Sequence, residues 1–212
     1  MLGAPGAGKG TQAYRLARAL GLQYISSGDL LRSTARTDTP LGRQVRPYIE
    51  RGDLVPDDII VALIWDRIES LGDRAGIVLD GFPRTREQAE SLDTCLASMG
   101  KVITHALYIE VSEPELVRRS AGRLACQVCE ATYHAAHRPP QTAGTCDRWG
   151  GNLYQRPDDT EGGFRGRLRI YEQWTAPLID YYRQAGLLLQ INGEQPIERV
   201  HEDLVAAVRA GV

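Results

Sequence analysis

Residues 3–11 read Gly-Ala-Pro-Gly-Ala-Gly-Lys-Gly-Thr and match the GxxxxGK pattern of a phosphate-binding loop. Glycines let such a loop turn its backbone N–H groups around phosphate oxygens, and the helix that follows directs its positive end at the same anion. Lys9 adds a point charge for those oxygens. Because the next position holds Gly10 rather than Ser or Thr, with Thr11 after it, we do not expect a hydroxyl ligand to Mg²⁺ there. An ordinary glycine-rich turn is the alternative interpretation.

The basic residues of the chain are almost all arginines. Only Lys9 and Lys101 are lysines among the 25 Lys and Arg residues. A planar guanidinium can bind two phosphate oxygens at once, which suits chemistry between polyanions. A compositional preference for Arg is the simpler interpretation of most of them, because a surface ion pair is worth under about 1 kcal/mol.

Three of the four cysteines have the spacing of a metal site. Cys126 and Cys129 form a CxxC pair, and Cys146 follows after sixteen further residues. Two facing pairs of ligands would make a structural zinc site. Asp147, His134 or a water could supply the fourth ligand. Alternatively, the segment binds no metal and is held by packing and hydrogen bonds.

Short apolar segments alternate with helical patterns along most of the chain. Strands are predicted at 22–25, 76–80, 105–111 and 187–191, and helices at 12–20, 29–36, 41–50, 57–71, 85–98, 113–121, 160–184 and 196–210. This alternation predicts a parallel sheet with helices on both faces. Residues 123–159 have little helical period. Since only two residues precede the phosphate loop, we expect about four to six further apolar residues before them, the length of a short strand.

Length and composition limit the class of protein. The 212 residues allow one core with small inserted subdomains. With a formal net charge of −2, the surface as a whole is not built to attract nucleic acid. No run of about 18 apolar residues predicts a membrane span, and no basic-then-apolar start predicts export. We therefore expect a cytoplasmic protein, in which paired cysteines more often bind metal than form disulfides.

Several motifs, in order along the chain, resemble the adenylate kinase family. The phosphate loop continues as Gly-Lys-Gly-Thr, and residues 26–32, Ser-Ser-Gly-Asp-Leu-Leu-Arg, are similar to the family's Thr-Gly-Asp-Met-Leu-Arg segment. Residues 80–85, Asp-Gly-Phe-Pro-Arg-Thr, with Gln88, are the most specific signature. Residues 117–123, 154–159, 165–168, 171–179 and 192–196 continue the match, so the resemblance covers essentially the whole chain.

The resemblance implies an α/β fold of the P-loop NTPase type, a five-stranded parallel sheet flanked by helices. The core would comprise residues 1–25, 56–121 and 160–212. A helical NMP-binding insert, residues 26–55, would close over AMP, and a small β-rich lid of the long type, residues 122–159, would close over ATP.

The implied activity is the reversible reaction ATP + AMP = 2 ADP, with Mg²⁺ accompanying ATP. Because the AMP phosphate is already a nucleophile, catalysis would consist of charge neutralisation, alignment and exclusion of water. The implied catalytic residues are Lys9, Arg84, Arg123, Arg156 and Arg167. The implied ATP-binding residues are Gly6, Ala7, Gly8, Lys9, Gly10, Thr11, Arg119, Arg123, Thr132, Tyr133 and Gln195. The implied AMP-binding residues are Ser27, Arg32, Asp53, Leu54, Val55, Gly81, Phe82, Pro83, Arg84, Gln88, Arg156 and Arg167.

The resemblance also assigns carboxylates and a lid metal. Asp80 would hold Mg²⁺ through waters, and Asp158 and Asp159 would latch the closed lid, although acidic residues also suit the start of a helix near 160. Members of the family with zinc in the lid carry a fourth Cys or an Asp where this chain has Trp149, which cannot be a ligand. A structural zinc would therefore rest on the three cysteines, Cys126, Cys129 and Cys146. If zinc is absent, packing of Trp149 would hold this part of the lid together.

Two rival interpretations remain open from the sequence. A P-loop kinase could act on another acceptor such as CMP, UMP or a shikimate-like hydroxyl compound, although Ser27 and Gln88 favour adenine. A zinc ribbon could instead bind nucleic acid, but the net charge and the lack of a basic stripe with interleaved aromatic residues oppose this. We expect a monomer whose partners are ATP, AMP and ADP, with no nucleic acid or membrane partner.

Overall fold

The computed structural model of the chain describes residues 1–72, 76–129, 131–136, 138–156 and 159–210. The helices in this part are α1 (Lys9–Leu20), α2 (Ser27–Ala35), α3 (Pro40–Arg51), α4 (Asp57–Ser70), α5 (Arg86–Ser98), α6 (Glu113–Ala121), α7 (Glu161–Ile170), α8 (Pro177–Gln184) and α9 (Ile197–Ala210). The strands are β1 (Gln23–Ser26), β2 (Ile77–Asp80), β3 (Ala106–Glu110), β4 (Arg123–Cys126), β5 (Thr132–His134), β6 (Leu153–Tyr154) and β7 (Leu188–Asn192). The predicted alternation of strands and helices is confirmed.

The main sheet is parallel and consists of two strand pairs with the start of the chain between them. β1 pairs with β2, and β3 pairs with β7. The amine of Met1 donates to the Leu79 carbonyl at 2.9 Å, and the N–H of Leu2 donates to the Leu107 carbonyl at 2.7 Å. The order across the sheet is therefore β1, β2, residues 1–2, β3 and β7. The predicted parallel α/β fold is confirmed.

Helices cover both faces of this sheet. Successive strand side chains point to opposite faces, so Val78 packs with the buried residues of α1 and α9, while its neighbours Ile77 and Leu79 pack with those of α4 and α5. Burying a large aliphatic side chain contributes about 1.5–3 kcal/mol. The carboxyl ends of the strands are thereby held rigidly beside the phosphate loop.

A helical pair, α2 and α3, is inserted between β1 and α4. The Ser26 hydroxyl accepts from the N–H of Asp29 at the start of α2, and the Thr39 hydroxyl accepts from the N–H of Gly42 at the start of α3. Both are N-cap bonds that satisfy donors left open by a first helical turn. Val45 is fully buried in the insert, so the pair is a packed unit that can carry site residues.

The predicted single helix over 160–184 is interrupted. A π-helical turn, Tyr171–Thr175, lies between α7 and α8, and the N–H of Ala176 donates to the carbonyl of Tyr171 at 2.8 Å. Pro177 follows directly. Its ring would clash with the carbonyl four residues earlier in a regular helix, and the wider turn relieves that clash.

The segment without helical period folds into a small antiparallel sheet in the order β5-β4-β6. Arg123 begins β4 opposite His134 of β5. Cys126 ends the same strand opposite Leu153. The predicted small β-rich unit is confirmed, and its role as a lid stays a prediction.

Candidate active site

The phosphate loop lies between the central residues of the sheet and α1. Gly8, at the N-cap of α1, has φ 91°, a left-handed conformation that L side chains rarely adopt. The Lys9 ammonium donates to the Ala4 carbonyl at 2.9 Å. Burial lowers the pKa of Lys9 to about 8, and the charge of Asp80 opposes that shift. An anion bound in the loop would stabilise the charged ammonium, which burial has separated from water.

Asp80 ends β2 beside the loop, and two features orient its carboxylate. The Tyr24 hydroxyl donates to Asp80 Oδ2 at 3.1 Å. Burial, together with the charge of Asp80, raises the pKa of Tyr24, which therefore stays a donor. A Cβ on Gly10 would lie 3.0 Å from the same Oδ2, so a larger residue at this position would require the Asp80 carboxylate to shift. Tyr24 is not identifiable from the sequence, because its contact depends on the pairing of β1 with β2.

A cavity of about 1220 Å³ extends from the phosphate loop to the lid. It brings together ten of the predicted ATP-binding residues: Gly6, Ala7, Gly8, Lys9, Gly10, Thr11, Arg119, Arg123, Thr132 and Tyr133. The eleventh, Gln195, does not line this cavity. Its amide donates to the Asn192 carbonyl at 2.9 Å and to Asp203 at 3.0 Å. Three further residues from the same small sheet region, His134, Arg138 and Arg148, also line the cavity. No nucleotide-binding motif in the sequence identifies them.

Two of the predicted ATP-side residues are already held by protein partners. Arg119 donates to Glu115 at 2.6 Å and to the Gly193 carbonyl at 2.9 Å. Tyr133 is 4% exposed and packs in the lid, where its hydroxyl accepts from the N–H of Asp147 at 2.8 Å. Their roles toward a nucleotide base stay predictions.

A second cavity, of about 420 Å³, opens between the helical insert and the core. It is lined by ten of the twelve predicted AMP-binding residues: Ser27, Arg32, Asp53, Leu54, Val55, Gly81, Arg84, Gln88, Arg156 and Arg167. Pro83 lines the larger cavity instead, and Phe82 is 2% exposed in the hydrophobic core. Arg36 and Arg46 also line the smaller cavity. They stand outside the motifs, so only the packing of α2 and α3 places them there.

The two cavities share a wall of positive charge. Arg32, Arg84, Arg156 and Arg167 line both of them. Arg84 is oriented by a bond from its Nε to the Gly81 carbonyl at 2.8 Å. Four guanidinium groups at one junction can bind phosphate oxygens from both cavities and stabilise the negative charge there.

Asp159 is a fully buried carboxylate that binds two of the predicted catalytic arginines. Arg123, from β4, donates to it through Nε at 2.6 Å and also through Nη2, and Arg167, from α7, donates through Nη2 at 2.6 Å. The bridge therefore ties the start of β4 to α7. The latch role of Asp159 stays a prediction. Asp158, predicted to share that role, lies outside the described residues.

The three lid cysteines form a compact cluster. The sulfurs of Cys126, Cys129 and Cys146 all lie within 4.8 Å of one another, and those of Cys129 and Cys146 are 3.6 Å apart. Burial raises the pKa of the Cys146 thiol, but a hydrogen bond from the Tyr133 hydroxyl and backbone N–H groups outweigh it, so the pKa falls to about 6. These thiols can hold a metal ion from three sides.

Trp149, at the position of the usual fourth ligand, does not pack against the cysteine cluster. Trp149 is 72% exposed, so the prediction that its packing holds the lid together is wrong. Its ring points to solvent because the buried interior of the lid is already filled by the cysteines and Tyr133. Within the described residues, no His, Asp or Glu joins the three-cysteine group; the Asp147 carboxylate accepts from the N–H of Gln141 at 2.8 Å.

Comparison with known proteins gives a consistent family. The family model for adenylate kinase matches residues 1–187. The chain is 45% identical over 210 residues to the adenylate kinase of Symbiobacterium thermophilum, covering 99% of this chain and 97% of that protein. It is 45% identical over 209 residues to the adenylate kinase of Carboxydothermus hydrogenoformans, covering 99% and 98%. It is 47% identical over 200 residues to that of Moorella thermoacetica, covering 94% and 92%.

Proposed function

The chain belongs to the adenylate kinase family, and we propose that it catalyses ATP + AMP = 2 ADP by direct in-line transfer of a phosphoryl group. Enzymes of this family are phosphotransferases that bind ATP, AMP and ADP and use Mg²⁺ with ATP. The observation that carries the proposal is the junction at which Arg32, Arg84, Arg156 and Arg167 line both cavities. A phosphoryl group that passes between two bound nucleotides must cross such a junction.

We assign the larger cavity to ATP and the smaller one to AMP. The phosphate loop lines only the larger cavity, whereas Ser27, Val55 and Gln88 line only the smaller one. Arg32 and Arg84 would hold the AMP phosphate, because they stand where the smaller cavity meets the larger.

The reaction requires positive charge and alignment of the two phosphates, and it does not require a general base. The AMP phosphate attacks the γ-phosphorus of ATP directly, and charge builds up on the transferred oxygens. Lys9 and the arginines Arg84, Arg123, Arg156 and Arg167 would neutralise that charge. Bidentate guanidinium contacts also fix the two phosphates in line, which lowers the entropic part of the barrier.

The subdomains follow from the same assignment. Residues 1–25, 56–121 and 160–212 form the core, residues 26–55 the NMP-binding insert, and residues 122–159 the lid. The packing of α2 on α3 and the separate sheet β5-β4-β6 support this division. The insert closes over AMP and the lid closes over ATP, which excludes water from the transferred group.

Two metal ions fit the residues present. Asp80, oriented by Tyr24, would hold the waters of the Mg²⁺ that accompanies ATP, and that ion would neutralise phosphate charge. In the lid, Cys126, Cys129 and Cys146 would hold a structural zinc, for which three thiolates within 4.8 Å are a suitable donor set. With three protein ligands, the ion should exchange faster than in a closed four-ligand site.

The proposal also covers the compartment, the oligomeric state and the partners of the enzyme. Among the helices of the described residues, none combines the length and apolar character that crossing a bilayer requires. We assign the protein to the cytoplasm as a monomer, without a membrane or nucleic-acid partner. The net charge of −2 supports the absence of a nucleic-acid partner.

A coupled assay of ADP formation tests the proposed function. Lys9→Ala and Arg84→Ala should each lower turnover at least about tenfold, since each removes a charge-assisted contact worth about 1.5–3 kcal/mol. Matched controls are Lys101→Ala and Arg86→Ala, which remove the same residue types from positions that line neither cavity. Near-normal turnover in both site variants, or a preference for CMP or UMP over AMP, would overturn the proposal.

A further inference from the structure

The buried amide of Gln88 is held at both ends by other residues. Gln88 is 2% exposed. Its Oε1 accepts from the backbone N–H of Arg84 at 2.7 Å, and its Nε2 donates to Asp57 Oδ1 at 2.6 Å. Asp57 begins α4 and Gln88 lies in α5, so two separate elements meet at this amide.

These two partners allow only one orientation of the amide. The oxygen and nitrogen of a glutamine side chain are told apart by their hydrogen-bond partners. The N–H of Arg84 can only donate, so it must face Oε1. The Asp57 carboxylate, when ionised, can only accept, so it must face Nε2. Turning the amide over would leave two buried mismatched contacts, each costing about 1–3 kcal/mol.

Thr85 fixes the carboxylate in turn. Its hydroxyl donates to Asp57 Oδ2 at 3.0 Å and accepts from the backbone N–H of Gln88 at 3.2 Å. Both oxygens of Asp57 are therefore engaged, and the carboxylate cannot rotate without breaking a bond. The result is a closed network that leaves Gln88 one N–H and one further lone pair on Oε1.

We propose that Asp57 is a positioning residue that makes the smaller cavity select a 6-aminopurine over a 6-oxopurine nucleoside monophosphate. This inference rests on the proposed function, in which that cavity binds the acceptor nucleotide and Gln88 lines it. A 6-aminopurine offers an acceptor at N1 and a donor at its amino group, which match the remaining N–H and lone pair. A 6-oxopurine offers N1–H and O6, so both contacts become donor-to-donor or acceptor-to-acceptor.

The test compares AMP with inosine monophosphate, which differs at purine position 6 and in the proton on N1. We expect the parent enzyme to favour AMP by at least about 100-fold in kcat/KM. Asp57→Ala removes the acceptor of the Gln88 Nε2 bond and leaves the amide held from the Oε1 side by Arg84. The amide is then oriented less firmly, so the ratio of the two kcat/KM values should fall at least about tenfold. The change should fall mainly on the KM for AMP, because Asp57 acts on base recognition and not on the phosphate.

Three further variants sharpen the comparison. Asp58→Ala removes an exposed carboxylate from the same helical turn and should keep the parental ratio. Asp57→Asn retains an oxygen opposite Gln88 Nε2, while its amide can donate to the Thr85 hydroxyl, so most of the selectivity should return. If Asp57→Ala does not fold, Asp57→Ser suits the first turn of a helix, and its shorter side chain should still break the bond to Gln88 Nε2.

Several outcomes would overturn the inference. The first is a ratio of kcat/KM values for AMP and IMP in Asp57→Ala or Asp57→Ser that stays within threefold of the parent ratio. The second is an equal fall of that ratio in Asp58→Ala. The third is a change in kcat with no change in the KM for AMP. Equal use of both nucleotides by the parent would also overturn it while leaving phosphotransfer intact. A parent that phosphorylates neither nucleotide would instead refute the proposed function, so the two failures are distinguishable.

Discussion

Replacing Asp159 by Asn should destabilise the free enzyme more than any exposed Asp substitution. The Asp159 side chain is 0% exposed, and those of its partners Arg123 and Arg167 are 19% and 17% exposed. Asn keeps the size of the side chain and removes its charge. Two largely buried guanidinium groups then lose the carboxylate charge that bridges them.

The expected loss follows from that geometry. Breaking a buried ion pair by removing one partner costs about 3–5 kcal/mol, because the remaining charge is left uncompensated. The retained amide oxygen of Asn can still accept one hydrogen bond, so we expect about 3 kcal/mol. For a chain of this size, 1 kcal/mol shifts the melting temperature by about 2–4 °C. Asp159→Asn should therefore melt about 6–12 °C below the parent.

Melting curves with and without tripolyphosphate provide the assay. The anion can replace the lost carboxylate as a partner of Arg123 and Arg167, so it should raise the melting temperature of Asp159→Asn more than that of the parent. The control is Asp180→Asn, whose partner Arg183 and own carboxylate are 56% and 70% exposed and whose loss should cost under about 1 kcal/mol. Melting of Asp159→Asn within 2 °C of the parent, or equal rescue of both proteins, would refute the reasoning.

Three other predictions concern charge, motion and metal. Burial holds the pKa of Lys9 at about 8 in the free enzyme, so raising the pH from 7 to 9 removes its proton. The KM for ATP should therefore rise about tenfold, and a KM that does not change with pH would contradict this. An analogue that links two adenosines through a polyphosphate should bind more tightly than AMP and slow hydrogen exchange across residues 122–159, whereas unchanged exchange at saturation would exclude lid closure. Protein purified without chelator should carry zinc on Cys126, Cys129 and Cys146 and melt lower in EDTA; under about a tenth of a zinc per chain with no EDTA effect would exclude a metal site.

The phosphate loop and most helices could be predicted from the sequence, because their determinants lie within a few residues of one another. Gly8 and Lys9 mark the turn into α1, and Thr85 caps α5 through a bond to the N–H of Gln88. Ten of the residues that the motifs assign to ATP line the larger cavity, and ten of those assigned to AMP line the smaller one. Their individual roles stay predictions until variants are measured.

Other features required the folded chain. The turn at Tyr171–Thr175 widens to accommodate Pro177, although the periodicity of residues 160–184 suggests one helix. Trp149 points to solvent, whereas its apolar character suggests packing. In both cases the local sequence was compatible with two structures, and packing against neighbouring residues decided between them.

Contacts between distant parts of the chain were decided by tertiary structure alone. Asp57 and Gln88 are 31 positions apart, and Arg123 and Asp159 are 36 positions apart. The sequence determined that these polar groups exist and that, if buried, they must find partners. Which partners they find depends on how helices and strands pack, because hydrogen bonds act over about 3 Å and no local pattern encodes that proximity.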